Sequence, residues 1–300
     1  MTAQRHRGPV ALGNLSPATS LAYQLDWVLF VRDVLGIELD EWQAALLRHP
    51  DRSSILATSR QVGKSTAATI LAAVMMLMRP GAQVLVASTG QSHASHLLRL
   101  IREYLLQFKA RDFVTIRTDS AHRIALDNGS GLLVIAANPA SARGYSPSLL
   151  LVDEAAFISE APGGNGHLID SLLPSISASG GAAVLMSTPN GCSGRFYDIW
   201  TATDNDYWHR VEVPWHECSR LDPKLIESLR KSMPPATFNQ EYLVSFLSRT
   251  NAFFSEHTID QLRGGSSSED IISSPNPDDE VVVNSRPAFG SNGLNRRRAH

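Results

Sequence analysis

Three groups of residues have the types and spacing for phosphoryl chemistry. The first is Ser59-Arg60-Gln61-Val62-Gly63-Lys64-Ser65-Thr66. It follows four small or apolar residues, Ile55, Leu56, Ala57 and Thr58, and precedes an Ala-, Leu- and Met-rich stretch running to about residue 78. Strand, tight turn, Gly-Lys-Ser and helix is the layout of a phosphate-binding loop. Loop N–H groups and the helix N-terminus face the phosphates; Lys64 sets a charge on the β/γ-phosphates, and Ser65 offers its hydroxyl to Mg²⁺. The usual first glycine of this motif falls at Thr58 and is absent. The second group is Asp153-Glu154, placed after Leu149, Leu150, Leu151 and Val152. An apolar strand ending in two acids matches a Walker B strand, with Asp153 in the Mg²⁺ shell and Glu154 orienting and deprotonating the attacking water. The third is Ser187-Thr188-Pro189, at the end of the apolar run 182–186. A hydroxyl at Thr188 is placed to sense the γ-phosphate or the attacking water. The second and third groups also have an ordinary structural explanation: two acids cap a helix, and Ser, Thr and Pro make turns. Their coexistence in one chain favours the chemical reading.

Other polar residues carry weaker signals. Gln43 precedes the loop by about twenty residues, and its amide can both donate to and accept from an adenine edge. Arg60, inside the loop, and Arg143, in Ala142-Arg143-Gly144-Tyr145, are suited to stabilising charge on a transferring phosphoryl group, in cis or from a neighbouring subunit. His93, His96 and His122 lack a metal-ligand spacing and read as structural or exposed. Cys192 and Cys218 form neither a zinc motif nor a disulfide framework, which fits a reducing, intracellular setting. Net charge is −2, so there is no global electrostatic case for a nucleic-acid partner. The stretch 99–123 holds six Lys/Arg against three acids, a mild basic bias. The longest apolar run covers nine residues, 70–78, too short to span a bilayer.

The elements that must position these groups alternate between strand and helix patterns. Helices are expected over 21–35, capped by Thr19 or Ser20, and over 40–48. From residue 53, strands are expected at 84–88, 114–117, 123–126, 132–136, 149–152, 182–186 and 208–213. Asp127-Asn128-Gly129-Ser130 marks a hairpin. Helices are expected over 64–78, 92–108, 194–201, 224–231 and 236–246. In the helix over 92–108, Leu97, Leu98, Ile101, Leu105 and Phe108 face inward. Continuous apolar strands between helices predict an α/β fold with a mostly parallel sheet covered on both faces, and ligands at the carboxyl ends of its strands. All three chemical groups lie at such ends. The expected organisation is a flexible arm (1–17), a helical adaptor (18–50), a phosphate-loop ATPase core (51–215), a helical linker (216–262) and a disordered, Ser-, Pro- and acid-rich tail (263–300).

Taken together, Trp42-Gln43, the loop at 59–65, Arg143-Gly144-Tyr145-Ser146, LLLVDEAAF at 149–157 and STPNG at 187–191 resemble the ATPase domain of the large terminase subunit of tailed bacteriophages. The similarity extends to 208–215 and to FNQEYLVSFLSRTNAFF at 238–254, and covers about 20–262. The resemblance implies an ASCE-type phosphate-loop NTPase that uses ATP and Mg²⁺ to package double-stranded viral DNA into a procapsid. It implies a ring of subunits on the portal protein, acting with a small terminase subunit in the host cytoplasm, with no membrane involved. By match, residues 59–66 and Thr188 bind nucleotide, Ser65 and Asp153 hold Mg²⁺, Glu154 is the base, and Gln43 reads adenine. Arg143 matches a trans-acting finger, and Arg60 the arginine of the loop. Large terminases also carry an RNase H-like nuclease domain. Here tail-like sequence stands where that domain would begin, so no nuclease activity is expected from this chain. A helicase-like translocase, or a truncated prophage remnant that binds nucleotide without packaging, are the alternatives.

Overall fold

Strand β1 (Ser54–Thr58) is buried at every position, as a strand must be when helices cover both faces of its sheet. The structure, a computed structural model, describes residues 12–13, 15–136, 145–158, 168–202, 204 and 206–247, all within one compact unit, Met1–Phe254. Expectations for most of the arm, for Arg143, for the end of the linker and for the tail lie outside the described residues. The further strands are β2 (Gln83–Ser88), β3 (Ile116–Asp119), β4 (Arg123–Leu126), β5 (Gly131–Ala136), β6 (Leu149–Asp153), β7 (Ala182–Ser187) and β8 (His209–Val213). They form one sheet in the order β3-β4-β5-β2-β6-β7-β1-β8. From β5 to β8 all neighbours are parallel, while β3, β4 and β5 are antiparallel at one edge. Strand β7 therefore separates the phosphate-loop strand β1 from the acid strand β6.

Successive strand residues point to opposite faces, and the core divides accordingly. Leu56, Val84, Val86, Leu149, Leu151, Val184 and Met186 face one layer; Ile55, Ala57, Leu85, Ala87, Leu150, Val152 and Leu185 face the other. The first layer holds α4 (Lys64–Met78) and α5 (Gln91–Lys109). Every residue of α4 from Ala67 to Met78 is buried, so this helix, apolar on all sides, must be wrapped completely. Outside it lie α1 (Pro17–Leu25), α2 (Trp27–Phe30), running on into a π-turn at Val31–Leu35, and α3 (Glu41–Arg48). Helix α5 buries the five residues predicted to face inward, together with Ala94. The second layer holds α6 (Leu168–Ser179) and α7 (Arg195–Thr201). Beyond β8, α8 (Pro223–Ser232) and α9 (Pro235–Tyr242) pack on each other through Ile226, Phe238 and Tyr242.

Three expectations change. The helix expected over 21–35 begins instead at Pro17, capped by Ser16, and breaks at Asp26. There the backbone is extended and the carboxylate accepts from the N–H groups of Val28 and Leu29 at 2.9 and 3.0 Å, so local capping outcompetes continuation. Helix α9 stops at Tyr242 rather than 246, because Val244 adopts φ 58°. Helix α6 is absent from the expectations, since Pro174 lies inside it. The predicted hairpin between β4 and β5 is present. Its Asn128 amide also donates to the Met76 carbonyl at 2.8 Å, satisfying an orphan group at the end of α4. Among the described residues no helix is long and apolar enough to cross a membrane.

Candidate active site

The site grows from the carboxyl ends of β1, β7, β6 and β2. Thr58, at the position of the missing glycine, is still part of β1: it pairs with Val213 and is fully buried. The loop needs its left-handed residues later, at Gln61 (φ 61°) and Gly63 (φ 91°). A side chain at 58 is therefore compatible with the turn. Gly63 is the position where one is not. A Cβ there would meet Gln43 Nε2 at 2.8 Å and Arg220 Nη2 at 3.2 Å, in a backbone conformation that L-residues rarely adopt.

Lys64 opens α4, and its Nζ lies 3.3 Å from Glu154 Oε1. Both side chains are mostly shielded, so the pair is a charge contact in a partly dry setting. Glu154 has φ 52° and ψ 41°, a left-handed conformation that costs a non-glycine residue about 1–2 kcal/mol. That turn aims its carboxylate back across the strand ends toward Lys64. Asp153 completes β6, is 5% exposed, and leaves Oδ1 without a hydrogen-bond partner. Burial first, and then the Glu154 charge, push its carboxyl up to about 6; Lys64 and His93 act in the opposite sense. A buried carboxylate with an orphan oxygen and a raised pKa is what a divalent cation would relieve. Asp153 could therefore hold a divalent cation such as Mg²⁺, which takes one or two protein ligands and completes its shell with phosphate and water. No cluster of three or more His, Cys, Asp or Glu suited to a metal occurs among the described residues.

A cavity of about 430 Å³ opens over Lys64 and Glu154. Arg60, Gln61, Lys64, Glu154 and Thr188 line it, as do Thr89, His93 and Phe157, which the sequence reading did not single out as site residues. Thr89 and His93 follow β2, whose place beside β6 depends on long-range pairing and leaves no local signal. Thr188, 2% exposed, directly follows the last residue of β7, Ser187, whose hydroxyl is buried without a partner. Asn190 donates to the Ala156 carbonyl at 3.1 Å and so ties the segment after β7 to the turn after Glu154.

Gln43 lies behind the loop rather than in the cavity lining, and is 2% exposed. Its Nε2 donates to the Gly63 carbonyl at 3.2 Å, and its Oε1 accepts from the Asp40 N–H at 3.0 Å. Arg220, another residue without a sequence signal, donates to the Val62 carbonyl at 2.8 Å and to Asp40 Oδ1 at 2.7 Å. The arrangement can bind a polyphosphate, neutralise it with Lys64, hold a divalent ion at Asp153, and present Glu154 to a water. Arg143 lies outside the described residues.

This geometry agrees with a sequence comparison. The family described as terminase large subunit, T4likevirus-type, N-terminal, matches residues 55–261, well over half of the chain. The chain belongs to this terminase large-subunit family. Solved terminases share the fold. The large terminase ATPase domain of Thermus phage P74-26 is 21% identical with a TM-score of 0.62, over 72% of this chain and 97% of that one. The large terminase of bacteriophage HK97 is 15% identical with a TM-score of 0.61, over 74% of this chain and 55% of that one. The large terminase of a thermophilic bacteriophage, solved in complex with ADP, is 12% identical with a TM-score of 0.56, over 70% of this chain and 54% of that one. At these identities the likeness is one of fold, and the match spans little more than half of the last two terminases.

Proposed function

We propose that this terminase-family chain binds ATP with Mg²⁺ in the cavity at the ends of β1, β2, β6 and β7, hydrolyses it, and uses the energy to move double-stranded DNA during viral packaging. The observation that carries this reading is the Lys64–Glu154 contact of 3.3 Å beside an Asp153 oxygen with no partner. Lysine, catalytic acid and metal-holding acid converge there from the phosphate loop and the end of β6. Residues 59–66 cradle the phosphates. Lys64 sets its charge on the phosphates, and Glu154, 3.3 Å from it, orients the attacking water. Ser65 and Asp153 hold the metal, which when bound neutralises charge on the phosphates. Thr188 senses the terminal phosphate. Gln43 supports the loop from behind through its bond to the Gly63 carbonyl. Arg60 lies on the rim of the cavity, and Arg143 is the candidate finger acting on a neighbouring subunit. Packaging itself requires a homo-oligomeric ring, the portal protein and a small terminase subunit in the cytoplasm of the host.

Purified chain should release phosphate from ATP with Mg²⁺, and faster when double-stranded DNA is added. Lys64→Ala and Glu154→Gln should each lower the rate by at least about two orders of magnitude, roughly the cost of losing one preorganised charge at a developing phosphoryl transition state. Hydrolysis unaffected by both substitutions would refute the proposal.

A further inference from the structure

The phosphate loop is held by a part of the chain that contains no phosphate-binding motif. Ser59 N–H donates to the Val213 carbonyl at 2.8 Å, and Arg60 N–H to the Glu241 carbonyl at 3.0 Å. Arg220 donates to the Val62 carbonyl. The Arg60 guanidinium meets the Glu241 carboxylate through two bonds, Nε to Oε2 and Nη2 to Oε1, the latter 3.0 Å. Ser59, Arg60 and Val62 are thus all fastened to the segment from the end of β8 to α9. The two partners of the ion pair differ in surroundings. Arg60 lines the cavity and its side chain is 59% exposed, whereas that of Glu241 is 12% exposed. Glu241 is fixed because Phe238 and Tyr242, on either side of it in α9, stack at 5.1 Å and pack with Ile226. A planar guanidinium gripped by a carboxylate in a fork loses most of its freedom, and it has further N–H groups to offer.

We propose that Glu241 is a positioning residue of the nucleotide site: from α9 it sets the guanidinium of Arg60 on the cavity rim, in the orientation in which the remaining donors meet the phosphates. The inference rests on the ATPase reading above and adds a residue to it. Glu241 touches neither nucleotide nor metal. It acts through Arg60, so its loss should be felt in the chemical step more than in binding, because a displacement of about 1 Å in a positioned group costs up to roughly a hundredfold in rate. A role confined to holding α9 in place would instead show in stability and would be indifferent to the residue at 60.

The test is steady-state ATP hydrolysis by the whole chain carrying Glu241→Gln, Glu241→Asp, Arg60→Ala, or Arg60→Ala with Glu241→Gln. Thermal unfolding of each is recorded, and Lys64→Ala serves as the inactive control. Expected is a fall in kcat of about tenfold or more in Glu241→Gln with KM within about threefold, since the neutral amide keeps the shape but not the charged fork. Glu241→Asp should recover part of that loss, and in the Arg60→Ala background Glu241→Gln should do nothing further. A wild-type kcat in Glu241→Gln, or losses that multiply in the double variant, would overturn the proposal while leaving the ATPase reading intact. Wild-type hydrolysis no faster than that of Lys64→Ala would overturn the ATPase reading, and this inference with it.

Discussion

Replacing Asp153 by Asn should make the nucleotide-free protein more stable while ending its activity. The carboxyl is pushed from its ordinary 3.8 up to about 6, chiefly by burial, which corresponds to roughly 3 kcal/mol of disfavoured charge. The sign follows from proton counting. Between pH 3.8 and about 6 the folded chain holds a proton on Asp153 that the unfolded chain has released, so stability falls as pH rises through this window. Above about pH 6 the folded chain carries the full cost of the buried charge. Asparagine carries none at any pH. Urea unfolding of the wild type and of Asp153→Asn, in the absence of nucleotide and metal, should therefore give nearly equal stabilities near about pH 4. The difference should grow to about 3 kcal/mol in favour of the variant by about pH 8. Comparing the two chains at each pH cancels the titrating groups that do not interact with Asp153. Mg²⁺ with ADP should then stabilise the wild type and have little effect on the variant, because only the wild type offers the cation a charged oxygen. A difference that does not change with pH, or a wild type more stable than the variant at about pH 8, would refute the reading of Asp153 as a carboxylate destabilised by burial.

Gly63→Ala should cost about 2 kcal/mol in urea unfolding, from the left-handed backbone and the displaced Gln43 bond, and should also weaken nucleotide binding in a fluorescence titration. Asp26→Ala removes the acceptor for Val28 and Leu29 at an exposed cap; it should lower stability by about 1 kcal/mol and leave ATP hydrolysis unchanged. Leu71→Ala, inside the fully buried part of α4, should lower stability by about 2–5 kcal/mol by the same unfolding measurement.

The layers and the chemical groups are legible from residue order. Runs such as Leu149 to Val152, apolar at every position, fit strands covered on both sides. The spacing of Leu97, Leu98, Ile101, Leu105 and Phe108 is that of one face of a helix. Gly63-Lys64-Ser65 and Asp153-Glu154 stand out because loop and strand end state their chemistry within a few consecutive residues. Local reading failed where two local signals competed. Asp26 caps its own successors inside an apolar periodicity, and Pro174 sits inside a helix.

Which strand lies beside which, and so which side chains share the cavity, is settled only by packing. The order β2-β6-β7-β1 brings Thr89 and His93 to the cavity that also holds Lys64 and Glu154. Packing also sets the raised pKa of Asp153, since burial is a property of the assembled sheet and not of the residue. The grip on the phosphate loop was the least legible part. Gln43, Arg220 and Glu241 reach it across 20, 158 and 181 positions of sequence, and hydrogen bonds over such spans leave no periodicity to read. The chain encodes the reacting groups locally. Their orientation is fixed by contacts that exist only once the sheet, the helices on its faces and α9 beside it have closed around the loop.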